Sequence, residues 1–209
     1  MNDPSSVERS TQSSVFRLPG GESVMVRPIS PQDADRLQAY VRNLSAAARR
    51  NRFLGAVSEL APTKLDRVTR MNGRGELALI AFAGEGGEMA MIAEAIEAMA
   101  RESQRCEIAL SVTDAWQRKG VGTALMRRMV EVGKAHGLKG LRADVLAVNS
   151  AMIGLLREVG ADEVPPPDGG VVDVVFRFKE TPPSPAATSP VSSPAPVGVS
   201  LPERAQSGR

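Results

Sequence analysis

The chain has 209 residues, a formal net charge of +2 and a sequence pI near 9.0, and its single cysteine and single histidine supply too few soft ligands for a zinc site. Only five Phe, one Tyr and one Trp could stack on bases, so nucleic-acid binding has little support, whereas an anionic small-molecule ligand suits a mildly basic protein. The first 14 residues have no apolar run behind their charges, so we expect no secretory signal, and no stretch of the sequence approaches the roughly 20 apolar residues that span a bilayer. We therefore expect a cytoplasmic protein without membrane, nucleic-acid or metal binding.

The two ends of the chain differ in composition from its middle. Residues 1–14 are polar, and residues 181–209 are rich in proline, serine and alanine. Neither segment can bury enough apolar surface to offset the entropy of ordering it. We therefore predict a disordered N-terminal arm, one folded domain over residues 15–180 and a disordered tail.

The first half of the domain carries alternating strand and helix signals. Ser30 and Pro31 provide an N-cap and a proline at the first helical position, which together start a helix. The predicted elements, in order, are a strand over 23–29, helices over 30–43, 45–53 and 62–71, and a buried strand over 76–83 that ends in the glycine-rich turn 84–87. Segment 88–99 is ambiguous, because its Ala, Met and Glu residues have helical spacing and locally favour a helix.

The second half of the domain alternates regularly between strands and helices. The predicted elements are strands over 105–112, 140–146 and 171–178, with a helix to about His136 that Gly137 ends and a helix over 150–159 that Gly160 ends. This order implies an α/β sheet with a binding site at the carboxyl ends of its strands.

The segment from Gln117 to Leu125 joins a predicted strand to a predicted helix. Small residues at Gly120 and Gly122 would let a ligand approach the backbone, and the unpaired amides of the first helical turn favour an anion. Arg118 and Lys119 add two cations at the rim, which suits a pyrophosphate. The segment is not a P-loop and lacks the third glycine of a dinucleotide fingerprint, so by itself it is also compatible with an ordinary tight turn.

Three motifs follow one another over about 55 residues: Gln117-x-x-Gly120-x-Gly122 after a strand, then Asn149-x-x-Met152-x-x-Leu155, then Gly160. In order and spacing they resemble the acetyl-coenzyme A core of the GNAT superfamily of N-acetyltransferases. Segments 26–34, 52–55 and 58–62 are similar to the acetyltransferase domain of bacterial Pat-type protein-lysine acetyltransferases, which extends the resemblance to residues 22–179. Such domains are often fused to a ligase-like or cyclic-nucleotide-binding module, and we expect neither in a chain of this length.

The resemblance implies an α/β fold of the GNAT type, a mixed central sheet flanked by helices in a single domain. In that fold segment 89–98 is the third strand, and tertiary pairing can override its local helix propensity. The co-substrate implied is acetyl-CoA. The backbone of Leu110, Ser111 and Val112 would pair with pantetheine, and Asn149 would bond the cofactor nearby. The turn that would hold the pyrophosphate comprises Gln117, Arg118, Lys119, Gly120, Val121, Gly122 and Thr123.

Glu107 is the candidate general base, because the resembling family has its proposed base at this place in the pattern Glu-x-Ala-x-x-Val. Strand alternation puts Glu107, Ala109 and Ser111 on one face. The alternative is a structural carboxylate paired with a cation such as Arg105.

The chain also departs from the GNAT pattern at two positions. Leu156 stands where many GNAT enzymes place a tyrosine that protonates the leaving thiolate, and Ala161 replaces an aromatic residue. Solvent can supply the proton instead, because a thiol with a pKa of about 8.5 is a fair leaving group.

Three functions fit these residues. The first is transfer of an acetyl group to a protein lysine, the second is acetylation of a small amine such as a polyamine or drug, and the third is a non-catalytic acetyl-CoA sensor. We expect the acceptor site to be formed by segments 43–58 and 164–171. Arg49, Arg50 and Arg52 fit a solvated helix face that could flank the substrate entrance, and the protein would be a monomer or homodimer.

Overall fold

The computed structural model describes residues 12–73, 76–84, 89–99, 105–161 and 170–178. The predicted tail over 181–209 and most of the predicted N-terminal arm lie outside these residues, as does most of the turn 84–87. The compact unit described below ends at Phe178. Within the described ranges, no helix is both long and apolar enough to cross a membrane.

The described residues form eight strands and five helices. The strands are β1 (Ser14–Arg17), β2 (Ser23–Pro28), β3 (Asn72–Gly73), β4 (Glu76–Ala83), β5 (Ala90–Met99), β6 (Arg105–Val112), β7 (Gly140–Leu146) and β8 (Val171–Arg177). The helices are α1 (Ala34–Asn43), α2 (Ala46–Phe53), α3 (Pro62–Thr69), α4 (Val121–Ala135) and α5 (Ser150–Glu158), and short 3₁₀ turns cover Pro31–Asp33 and Asp114–Trp116. The sequence did not indicate β1, which begins inside the segment predicted as a disordered arm.

One mixed sheet organises the unit. Its strand order is β1-β2-β4-β5-β6-β7-β8, and the short β3 pairs with β4. The pairing of β6 with β7 is parallel, whereas the other described pairs are antiparallel. The predicted α/β fold with a mixed sheet and flanking helices is confirmed.

Segment 90–99 is a strand, as the family resemblance predicted and the local helix propensity did not. It lies in the middle of the sheet and pairs along its length with β4 on one side and β6 on the other. The register places Glu94 between Ile80 and Ser111. Pairing on both edges satisfies the backbone polar groups of β5, which outweighs the preference of Ala, Met and Glu for a helix.

Helices cover both faces of the sheet. Helices α1, α2 and α3 cover the face that we call the N-terminal face, where Leu37, Val41 and Ile80 are fully buried. Helices α4 and α5 cover the C-terminal face, where the core includes Leu125, Leu141 and other apolar residues. Burial of these apolar side chains on both faces is the main favourable contribution to folding.

Candidate functional site

Strands β6 and β7 separate after a short stretch of pairing. They pair only from Arg105 with Gly140 to Glu107 with Arg142. Beyond Glu107 the opposite edge of β6 stays paired with β5, up to Val112. The edge of β6 that faces β7 therefore presents backbone N–H and C=O groups without a strand partner over Ile108–Val112, and these groups can pair with an amide-bearing ligand.

A cleft of about 660 Å³ opens where the two strands separate. It brings together nine of the residues predicted to bind a cofactor: Leu110, Ser111, Val112, Gln117, Arg118, Gly120, Gly122, Thr123 and Asn149. It is also lined by residues to which the sequence analysis gave no cofactor contact: Ala48, Asn51, Ser150, Ala151, Glu158, and the motif residues Met152 and Leu155. The residues on α5 could have been inferred from the motif that begins at Asn149. Ala48 and Asn51 on α2 reach the cleft through tertiary packing, which the sequence does not indicate.

The turn before α4 has the backbone geometry of an anion site. Arg118 and Gly120 both have left-handed conformations, with φ of 60° and 95°. A non-glycine residue in this region is uncommon and stores strain, which is found most often at functional sites. The turn leads directly into the first residues of α4, whose amides have no acceptor within the helix. An anion in the cleft would receive these amide donors and the positive end of the helix dipole.

Two glycines leave space that a side chain would fill. A Cβ at Gly120 would lie 3.2 Å from Cδ of Pro19, and a Cβ at Gly122 would lie 3.3 Å from Cδ2 of Leu155. Gly120 also needs its positive φ. Gly122 therefore leaves room beside cleft residues such as Leu155, and Gly120 permits the left-handed conformation of the turn.

Two polar side chains fix the edges of the cleft. Gln117 donates from Nε2 to the carbonyl of Val112 at 3.0 Å and to Asp114 Oδ1 at 2.9 Å, which ties the turn to the end of β6. Asn149 is the N-cap of α5, and its Oδ1 accepts from the amide of Met152 at 3.2 Å. With its oxygen used as the cap, the amide nitrogen of Asn149 remains available as a donor to a ligand.

Two predicted cofactor residues do not line the cleft. The Nζ atom of Lys119 lies 3.4 Å from Glu22 Oε1 and 4.7 Å from the ring centroid of Trp116, so its side chain is directed towards the β1–β2 turn. Val121 is 1% exposed and packs in the apolar core. Val121 can therefore contribute to the cleft only through its backbone.

A second cavity, which we call the groove, adjoins the cleft and has a volume of about 540 Å³. It is lined by Arg52, Thr63, Lys64, Arg67, Val68, Met71, Ile96, Glu107, Ile108 and Ala109. Along β6 the groove ends at Ala109, and the cleft begins at Leu110. Five of these ten residues belong to α3 or follow it closely, and Arg52 is the one that belongs to segment 43–58. Of the other segment expected at the acceptor site, residues 164–169 lie outside the described residues.

The structure places Glu107 in the groove, with its side chain exposed. Among the side chains that the structure describes, Glu107 has no ion-pair partner. Its register partner on β7, Arg142, bonds Asp173 at 2.8 Å instead, and this hydrogen bond raises the pKa of the arginine. The alternative, that Glu107 pairs with Arg105, involves the side chain of Arg105, which is not among the side chains that the structure describes.

A buried polar network lies beneath the boundary between the two cavities. Arg52 Nε is 2.7 Å from Glu94 Oε1, and Ser111 Oγ donates to the same oxygen at 3.3 Å. The hydroxyl of Tyr40 lies 2.9 Å from Ser111 Oγ. Desolvation, with a smaller effect of the Glu94 charge, raises the pKa of Tyr40, so the phenol stays protonated.

The network corrects the interpretation of Arg52 as part of a solvated helix face. The side chain of Arg52 is 9% exposed, and Glu94 is 2% exposed. A signal was present in the sequence, because Glu94 lies between Ala93 and Ala95 in a central strand, where a buried carboxylate needs a cation. The sequence could not indicate which cation meets it.

Leu156 and Ala161 mark the two departures from the resembling family. Leu156 is 1% exposed and packs in the core of the C-terminal face, whereas its neighbour Leu155 lines the cleft. Ala161 packs against the same core. No phenol therefore occupies the position of Leu156, and the hydroxyl-bearing residues among those that line the cleft are Ser111, Thr123 and Ser150.

Comparison with known proteins agrees with this geometry. Residues 45–161 match the acetyltransferase (GNAT) family. An acetyltransferase of Pseudomonas aeruginosa is 29% identical over 166 residues, which cover 75% of this chain and 89% of that protein. The crystal structure of the GNAT domain of Streptomyces lividans PAT superposes with a TM-score of 0.70 at 26% identity, covering 79% of this chain and 97% of that one.

A more distant structure shares the fold. The Arabidopsis thaliana protein NAA60, solved in complex with a bisubstrate analogue, superposes with a TM-score of 0.58 at 17% identity and covers 75% of this chain and 99% of its own. The family match spans more than half of the chain, and it includes the cleft residues from Ala48 to Glu158. The chain therefore belongs to the acetyltransferase (GNAT) family and is an acetyl-CoA-dependent N-acetyltransferase.

Proposed function

We propose that the protein transfers the acetyl group of acetyl-CoA to the side-chain amine of a protein lysine, with Glu107 as general base. The observation that carries this proposal is the meeting of the cleft and the groove on β6, between Ala109 and Leu110. A thioester that enters along the cleft and an amine that enters along the groove would meet beside this strand. Direct transfer requires such an arrangement, because both reactants must be held together.

The cleft offers donors for each part of acetyl-CoA. The exposed edge of β6 over Leu110–Val112 supplies backbone groups for the two amides of the pantetheine arm, and Asn149 supplies a further donor. The turn from Gln117 to Gly120 and the first amides of α4 supply donors for the pyrophosphate, and Arg118 adds a positive charge. Val121 would take part through its amide, and Lys119 would act only through its positive charge at a distance.

Glu107 would remove the proton that keeps the acceptor amine unreactive. A lysine amine with a pKa of about 10.4 is protonated at neutral pH and cannot attack until it loses that proton. The carboxylate of Glu107 lines the groove and would accept it directly or through a water molecule. The free amine then attacks the thioester carbonyl, the C–N bond forms and the nitrogen loses its second proton to solvent. The C–S bond breaks, and solvent protonates the departing thiolate.

Two features favour a protein lysine over a small amine. Segments 26–34, 52–55 and 58–62 resemble Pat-type protein-lysine acetyltransferases. The groove is also rimmed by exposed side chains of α3, Lys64 and Arg67, so the flanks of a long acceptor can continue into solvent.

The test compares Glu107→Gln with the wild type on a lysine peptide. We expect the rate at pH 7 to fall by about 10²–10⁴-fold, because the amide keeps the shape of the side chain but is not a base. The affinity for acetyl-CoA should persist, and the deficit should shrink as pH rises and more amine becomes free. Glu131→Gln is the matched control, because Glu131 is an exposed glutamate on α4 that lines neither cavity.

Each alternative makes a different prediction in the same assay. If Glu107→Gln turned over the peptide at the wild-type rate near pH 7, Glu107 would have a structural role and not a catalytic one. Turnover of polyamines without turnover of lysine peptides would indicate a small-amine acetyltransferase. Tight acetyl-CoA binding without turnover of any amine would indicate a sensor.

A further inference from the structure

The charged side chains that line the groove are unevenly divided between α3 and β6. Helix α3 supplies Lys64 and Arg67, α2 supplies Arg52, and the carboxylate among the lining residues is Glu107 of β6. We infer that the groove binds an acidic peptide segment, in which the acceptor lysine is flanked by aspartate or glutamate. This inference rests on the proposed function, because it assigns the groove to the acceptor.

The three cations are not equally available to a ligand. Arg52 is buried and bound to Glu94 at 2.7 Å, so its charge is already compensated. Arg67 also contacts a carboxylate, Glu76 at 2.7 Å, but both side chains are well exposed, at 64% and 42%. Exposed pairs of this kind contribute about 0–1 kcal/mol, so Arg67 can exchange Glu76 for a carboxylate of the ligand.

Lys64 is the most available of the three. Its Nζ lies 5.3 Å from the ring centroid of Phe53, and it has no carboxylate partner in the described part of the chain. Lys64 and Arg67 are three residues apart on α3, so they lie on one face of the helix, one turn from each other. Together they form a cationic strip along the α3 side of the groove.

The charge pattern selects the acceptor by attraction and by repulsion. An acceptor lysine would be attracted to Glu107, and acidic neighbours of that lysine would be attracted to the cationic strip. A polyamine, which carries several positive charges and no negative ones, would place additional cations near Lys64 and Arg67. Complementary potentials favour the first ligand, and like charges disfavour the second.

A peptide segment fits better than a small anionic amine because the strip lies on the rim and not in an enclosed pocket. Small-molecule sites usually bury most of the ligand surface, whereas an exposed rim leaves the flanks of a ligand in water. The side chain of Arg67 is 64% exposed, so a carboxylate that meets it remains partly solvated. This geometry suits an acidic residue next to the acceptor lysine in a longer chain.

The test uses three peptides with the same central lysine, flanked by two glutamates, two alanines or two lysines. With wild-type protein we expect kcat/KM to rank Glu, then Ala, then Lys, with steps of about two- to fivefold for each cation engaged. In the double variant Lys64→Glu with Arg67→Glu the order should reverse. Raising the salt concentration should compress the wild-type ranking, because the groove rim is exposed.

Arg70→Glu is the matched control. Arg70 follows α3, is 63% exposed and bonds Asp66 at 2.8 Å, so it resembles Arg67 in exposure and pairing but does not line the groove. This variant should keep the wild-type ranking. Thermal unfolding and acetyl-CoA affinity, measured on both variants, check that the folded unit and the cleft are intact.

Direct binding separates the failure of this inference from the failure of the proposed function. Fluorescence anisotropy with labelled peptides measures the charge preference without requiring turnover. A preference for the Glu-flanked peptide that reverses in the double variant supports the inference, even if no peptide is acetylated. Equal affinities and equal kcat/KM for the three peptides overturn it, even if all are acetylated, and so does a carboxylate-bearing small amine that outcompetes every peptide.

Discussion

The helices on the two faces of the sheet are held in place by different kinds of contact. On the N-terminal face, apolar packing surrounds several buried polar groups. Among the described residues the buried polar or charged side chains are Asp33, Thr69, Glu94 and Ser111, and each belongs to α3 or contacts a residue of β2, α1 or α2 on this face. On the C-terminal face the buried core is apolar, and ion pairs such as Arg127 with Glu158 are exposed.

This difference implies that substitutions in the cleft and substitutions on the N-terminal face should have different effects on ligand binding and stability. In the proposed function, most of the backbone donors for acetyl-CoA come from residues 110–123, so a defect there should weaken acetyl-CoA binding more than folding. The N-terminal face relies on partners far apart in the chain, such as Arg52 with Glu94, 42 residues away, and Tyr40 with Ser111, 71 residues away. A defect there should affect folding as well as the acceptor side.

The largest effect is expected for Gly122→Glu. In the proposed function the new carboxylate would lie next to the pyrophosphate of acetyl-CoA, and two like charges about 4 Å apart repel by about 4 kcal/mol at the effective dielectric of a protein surface. We expect acetyl-CoA affinity to fall by about 10³-fold in calorimetry. The melting temperature should fall only modestly, because the nearest contact is the flexible end of Leu155.

Gly154→Glu is the control for that substitution. Gly154 lies on α5, a Cβ there would meet nothing within 4 Å, and it does not line the cleft. It should bind acetyl-CoA as the wild type does. An unchanged acetyl-CoA affinity of Gly122→Glu would show that the turn does not bind the pyrophosphate.

A second effect should appear in the stability of Arg52→Ala. Removing the cation leaves Glu94 buried and uncompensated, which destabilises proteins by about 3–5 kcal/mol. Arg42→Ala is the matched control, because Arg42 bonds Glu59 at the same 2.7 Å but both side chains are exposed. It should change the free energy of unfolding by less than about 1 kcal/mol. Equal losses in urea unfolding would show that burial does not distinguish the two pairs.

A smaller effect is expected for Asp33→Asn, and it depends on pH. Hydrogen bonds from Arg27, at 2.6 and 2.7 Å, and further bonds from Ser30 lower the pKa of Asp33 to about 2 from its usual 3.8. Because the folded-state pKa is depressed, this stabilisation of about 2 kcal/mol is present above about pH 4 and is lost as pH falls through about 2.

The variant should therefore be less stable than the wild type at pH 7, and the difference should narrow between pH 4 and 2. Chemical unfolding over this range measures it. Asp66→Asn, in an exposed pair with Arg70, should show almost no difference at any pH. A constant deficit for Asp33→Asn down to pH 2 would contradict the ionic origin of the contribution.

What the sequence predicted follows the same division. The strands and helices that border the cleft, and its glycine turn, were predictable, because capping residues, hydrophobic periodicity and the spacing of Gly120 and Gly122 are local signals. Strands β1 and β3 were not predicted. Segment 90–99 was predicted as a strand only through the family resemblance. Its local propensity is helical, and its pairing with β4 and β6 depends on distant parts of the chain. Arg52 with Glu94 and the contribution of α3 to the groove were not predictable, because each depends on which distant elements pack together.

The meeting of the cleft and the groove on β6 has a consequence for how this enzyme can diversify. Helix α3 lines the groove but contributes no residue to the cleft. If the groove holds the acceptor and the cleft holds acetyl-CoA, as proposed, sequence changes on the exposed face of α3 would alter the choice of acceptor and leave the donor site unchanged. Helix α2 would have no such freedom, because Asn51 lines the cleft and Arg52 lines the groove, so a change there that suited a new acceptor would also affect the proposed donor site.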